Sequence, residues 1–138
     1  MINDPNTEGR LRTHPEERFA ATEDQIDLRD AVNRLEREAS GQNGHKQVAL
    51  FRGGPLTVAL YALEARAALD EHVVDGPVVL HVLEGAINVR ADRGANHLVQ
   101  SGQLLRLAPK VAHRIEAEKP ARFLMTVGLQ GPGSHSLE

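Results

Sequence analysis

The sequence predicts an all-β domain, an antiparallel barrel or double-layered sheet preceded by one short helix. From Gln47 onward apolar residues alternate with period two in short runs, and turn residues separate the runs at the intervals of sandwiches and barrels. No helical pattern lies between the runs. Parallel strands need crossovers of about a dozen residues or more, so strands this closely spaced pair antiparallel.

Taken in order, residues 1–23 mix Asn, Pro, Thr, Glu, Arg and Gly with almost no apolar periodicity and read as a flexible segment. Residues 24–46 read as a helix and its linker. Leu28, Ala31, Val32, Leu35 and Ala39 recur at helical spacing, with Arg29, Asp30, Arg34, Glu36, Arg37 and Glu38 mostly off that stripe. Asp27 is placed to cap the first turn and Gly41 to stop the last. So narrow a stripe suits packing on a sheet or on a partner subunit.

The barrel is expected over 47–127. Its strands fall at about 47–52, 55–63, 67–74, 77–83, 86–92, 96–100, 103–107, 111–116 and 121–127, with boundaries loose by a few residues. Gly53-Gly54-Pro55, Asp75-Gly76-Pro77, Glu84-Gly85, Arg93-Gly94, Ser101-Gly102 and Lys119-Pro120 mark the breaks. Residues 128–138 read as a flexible tail whose closing Leu137-Glu138 resembles a cloning junction.

Composition excludes several functions. A chain of 138 residues suits one domain with a real core. With no cysteine there is no disulfide, thiolate zinc site or cysteine nucleophile. The net charge of −3, dispersed Lys and Arg, and 3% aromatic content argue against a nucleic-acid surface. No apolar run approaches the ~20 residues of a membrane span, and the first residues lack the apolar core of a signal peptide, so a cytoplasmic location is expected.

Alternation sorts side chains by face. Val78, Leu80 and Val82 form one row of their strand, and Val79, His81 and Leu83 the other. Val111, His113 and Ile115 share a face, as do Phe123, Met125 and Val127, which leaves Arg114 and Arg122 on the outer side. Asp70 and Glu71 are adjacent on a strand, so they face opposite sides and cannot act on one substrate atom. Ser101 lies in a glycine turn without the strand-turn-helix elbow of a nucleophilic serine.

The stretch from His72 through Val82-Leu83-Glu84-Gly85 to Gly102, Pro109 and His113 resembles the cupin superfamily of small jelly-roll barrels, over residues 47–127. Aligning the first cupin motif on Gly85 places its two histidines at His72 and Val74 and its glutamate at Val78. The second motif runs from Gly102 to His113, with Ala108 at the usual proline position and Ala117 at the asparagine. The resemblance implies a double-stranded β-helix with a ligand site in the barrel mouth. In metal-containing cupins, three histidines and the glutamate hold the ion. Here two of those four positions are valine.

The leading expectation is a small molecule bound in a pocket formed by His72, Val74, Val78, Leu80, His113, Phe123 and Met125, with the histidines as polar anchors. The alternative is a metal-dependent oxygenase or isomerase in which His72 and His113, with His81 as third ligand, hold iron, manganese, nickel or zinc. His81 has the opposite parity to Val78, so a regular strand turns it away from the other two. A homodimer is expected, with the helix and the strand at 47–52 as candidate contacts.

Overall fold

The structure is a computed structural model that describes residues 23–38, 42–91 and 94–128. The flexible segment expected over 1–23 therefore lies outside the described residues except for Glu23, and the tail expected over 128–138 except for Gly128. Among the described residues are one helix, α1 (Leu28–Arg37), and seven strands, β1 (His45–Phe51), β2 (Leu56–Leu63), β3 (Ala68–His72), β4 (Val78–Ala91), β5 (Asn96–Gln100), β6 (Leu104–Leu107) and β7 (His113–Gly128). No helix among them is long and apolar enough to cross a membrane.

The Asp27 side chain accepts from the Asp30 amide at 3.0 Å, which caps α1 as its sequence predicts. The far end differs. Glu38 already leaves helical geometry at φ −79° and ψ 153°, so the helix stops short of Gly41, which lies outside the described residues. Its free carbonyls find another partner: the Lys46 ammonium, reaching over from β1, donates to Leu35 O at 3.3 Å and Glu36 O at 3.1 Å. Leu35 is 2% exposed, and α1 packs over β1 and β2 of its own barrel.

The barrel begins at His45, two residues earlier than expected. Asn43 (φ 61°) and Gly44 (φ 73°) turn the chain through left-handed geometry directly into β1.

All strand pairs are antiparallel. The breaks expected at Glu84-Gly85 and Lys119-Pro120 do not end strands. β4 and β7 run through them, and their mutual ladder shifts register between Val82 and Ile87. The first half of β4 pairs with β6 and the last half of β7, and its second half pairs with β5 and the first half of β7. Beyond, β7 pairs with β3 at one end and β2 at the other, and β1 closes on β2. One sheet is thus folded over on itself at a shared corner. The turn residues mark a bend in the ladder rather than its end, because each strand serves both layers.

Backbone groups released at that corner are satisfied by the turn after β5. Ser101 N donates to Gly85 O, Gly102 N to Val82 O, and the Ser101 hydroxyl to Leu83 O, while Val82 N donates to Gln103 O. Inner-face residues of both layers form one core, including Val78, Leu80, Val82, Ile87, Ile115 and Phe123. On the outer face Arg122 bonds Glu36 of α1 at 2.5 Å and also pairs with Glu84.

A β-carbon on Gly85 (φ 83°) would sit 2.1 Å from Pro120 O and 2.8 Å from Ala121 Cα. Gly94 has a similar φ of 81° and nothing within 4 Å. We expect Gly94→Ala to cost about 1 kcal/mol, the strain of a left-handed alanine alone. Gly85→Ala should cost several-fold more or prevent folding, because backbone must move. Urea denaturation of the two variants checks this, and equal costs would show that the corner tolerates a side chain.

Candidate functional site

β3 ends on His72 and β7 begins on His113, and the two are direct partners across the ladder. On a regular strand Leu69 and His72 would face opposite ways. Yet Leu69 pairs with Ile115 and His72 with His113, so three steps on β3 match two on β7. This β-bulge at Asp70–Glu71 turns His72 to the inner side that Leu69, Ile115 and His113 share. The imidazole centroids are 4.4 Å apart, edge to face.

Each ring is tied to its own strand. His113 Nδ1 lies 3.2 Å from Val111 O, and His72 Nδ1 lies 3.0 Å from Asp70 O. A carbonyl oxygen only accepts, so both Nδ1 atoms carry the proton and donate. His113 is 1% exposed, and its Nε2 is buried without a hydrogen-bond partner among the described residues. Burial pushes the His113 pKa below its ordinary value, the bond to Val111 opposes this, and the nearby His72 adds to the lowering. The ring is neutral at neutral pH.

Of the other residues assigned to the pocket, Val78, Leu80, Phe123 and Met125 are buried core members, and Val74 is half-buried against the same core. His81 is half-buried on the opposite face of β4, where it pairs with Leu104 and Leu124. Its parity holds, and no bulge returns it to the histidine pair. Among the described residues, no three His, Asp, Glu or Cys side chains gather as a metal-binding group. The donor set at His72 and His113 is two imidazoles, one fewer than the three or more protein ligands that hold a divalent transition ion. The site does not fit the metal that the cupin resemblance implies.

Two surface clefts lie elsewhere. One of about 210 Å³ runs between α1 and the sheet beside Glu36, Lys46 and Arg122. The other, about 400 Å³, is lined by His97, Leu98, Val99, Gln103, Leu104 and Leu105. Neither is lined by His72 or His113.

Three parts of the site escape the sequence. The bulge that turns His72 inward is one, since neither Asp70 nor Glu71 signals an extra residue. The second is the tie between loops: Lys110 takes a left-handed φ of 67°, and its amide donates to Val74 O at 2.8 Å, holding the segment after His72 against the turn before His113. The third is an aromatic stack from His45 through Tyr61 to Phe123, with centroids 6.1 and 5.1 Å apart. Alternation along β2 places Tyr61 on the inner face and was the available signal. Burial raises the Tyr61 pKa, so the phenol stays protonated at neutral pH.

Because the folded His113 pKa lies below the ordinary 6.5, the unfolded chain takes up this proton at a higher pH than the folded one. Stability tied to the neutral ring is complete above the unfolded value and declines as pH falls through it toward the lowered folded value. His113→Gln should therefore reduce the loss of stability between about pH 7.5 and about pH 5.5, read from urea titrations at each pH. Identical pH profiles for parent and variant would assign the loss to another group.

No protein-family model matches the sequence, and no curated protein matches it. Solved structures do. A conserved protein of unknown function from Streptococcus pyogenes superposes with a TM-score of 0.64 at 17% identity, over 78% of this chain and 89% of that one. A cupin superfamily protein from Desulfitobacterium hafniense gives 0.63 at 14% identity, over 70% and 87%. An RmlC-like cupin from Shewanella frigidimarina gives 0.61 at 20% identity, over 70% and 88%. At these identities the likeness speaks for architecture, and it joins the folded-over antiparallel sheet, the corner at Gly85 and the facing His72 and His113: the chain is a small protein of the cupin fold.

Proposed function

We propose that this protein binds a small organic molecule at the His72–His113 end of its barrel. The observation that carries it is the His113 Nε2 atom, buried and without a partner among the described residues, with the half-buried His72 ring beside it. A buried acceptor left unmatched costs about 1–3 kcal/mol, which a ligand hydrogen recovers. Val74 and Val78, at positions where the cupin resemblance implies metal ligands, make the surroundings apolar. An apolar recess with few polar anchors is how small organic molecules are held. His72, half-buried, is the more exposed of the two, since His113 itself has almost no exposed surface.

A ligand found by thermal-shift screening should lose at least about ten-fold in affinity on His113→Ala, the equivalent of one well-made hydrogen bond. Unchanged affinity by calorimetry would remove His113 from the site. Zinc, manganese, nickel or iron(II) added to protein stripped with chelator should leave the melting temperature unmoved, since two imidazoles hold such an ion weakly. A saturable rise would favour the metal-dependent reading instead.

We also propose a homodimer. The support is β1, an edge strand paired only with β2 among the described residues, which leaves Val48 exposed. Light scattering at micromolar concentration should give twice the 15.1 kDa chain mass. A monomer mass would overturn it.

A further inference from the structure

The carbonyls of Asp70 and Val111 decide what the two histidines offer. Each takes the Nδ1 proton of the imidazole two residues further on, and in the buried, neutral His113 ring this leaves a bare lone pair at Nε2. The site then has a buried acceptor at His113, with the His72 ring beside it. The side chains assigned to it are otherwise Val74, Val78, Leu80, Phe123 and Met125, none of which carries charge. Asp70 and Glu71, the nearest acids in the chain, are exposed. An anion would meet the bare lone pair of His113 Nε2, and an ammonium would lose its water with no carboxylate among those side chains to replace it.

From this we infer the class of ligand: an uncharged molecule, apolar over most of its surface, that presents a hydroxyl or N–H hydrogen to Nε2 of His113. It rests on the small-molecule function proposed above and adds the sign of the hydrogen bond. His113 supplies the decisive acceptor, since it is 1% exposed and its Nε2 has no partner among the described residues. His72, half-buried and edge-on at 4.4 Å, forms the more exposed wall beside it.

The test uses the full chain, with EDTA present, and three probes of similar shape: phenol, anisole and benzoate. Long-range 15N–1H correlation spectra report the protonation of each imidazole nitrogen directly. In the free protein, His113 should show a protonated Nδ1 and a bare Nε2. Phenol should bind, move the His113 Nε2 resonance toward the hydrogen-bonded position, and bind about ten-fold more tightly than anisole, which keeps the ring but lacks the hydrogen. Benzoate should bind more weakly than either.

A protonated Nε2 in the free protein would overturn the inference, as would equal binding of phenol and anisole with an unmoved Nε2. In that last case a small-molecule site survives, with another anchor. Preference for benzoate would place an unrecognised donor in the site and overturn it too. A phenol response seen only when EDTA is left out would mean that an ion bridges the ring and the hydroxyl, and would overturn the inference. Failure of all three probes to perturb any residue of the His72–His113 end would count against the small-molecule function itself and take the inference with it.

Discussion

Gly85 and Pro120 meet so closely that no side chain fits between them, and the two longest strands both bend at that contact. The bend lets β4 and β7 run from one layer into the other without interrupting their mutual ladder. Had the chain ended each strand there, four short strands would need two more turns and four more strand ends, each with backbone groups to satisfy. Instead the corner leaves a few unpaired groups, and Ser101, Gly102 and Gln103 bind them. Placing Val82 and Ile87 on either side of the same bend brings both layers' apolar rows into one core. The histidine pair follows from this arrangement, because His113 opens β7 at one end of its ladder with β4, where β3 also pairs.

Much of this is legible in the residues. Alternation correctly puts Val78, Leu80, Val82, Phe123 and Met125 inside, and His81 outside, because a buried face punishes any slip of register by exposing a whole row. Gly85 and Pro120 are also visible as irregular points. What a one-dimensional pattern cannot show is whether a glycine ends a strand or kinks it, since that depends on a partner 35 residues away along the chain. The bulge before His72 is hidden for a similar reason. It is defined by a mismatch with β7, and Asp70 and Glu71 look like ordinary strand or turn residues by themselves. The helix stop is the simplest case: a glycine signal was present at Gly41, but Lys46, a side chain on another element, satisfies the final carbonyls first.

The chemistry of the candidate site is governed by hydrogen bonds that the histidines make backwards along their own strands. A ring whose Nδ1 is held by a carbonyl two residues earlier has its tautomer chosen before any ligand arrives. In a metalloprotein the same device prepares an imidazole to donate its lone pair to an ion. Here the two rings keep that preparation while Val74 and Val78 supply no further donors. Under the proposed function this leaves an apolar setting around the His113 Nε2 acceptor, which suits a molecule with a hydrogen to give over an ion that needs several ligands.

β7 holds a position with a further consequence. It pairs with β2, β3 and β4, so it is the common neighbour on which both layers are assembled, yet it is the final described strand in chain order. During synthesis, β2 must wait for a partner that lies about 60 residues downstream, and β3 for one about 40 residues downstream. Until β7 leaves the ribosome, the apolar faces of the earlier strands have nothing to close against. The barrel therefore closes only after β7 is made, although β1 can pair with β2, and β4 with β5 and β6, before it.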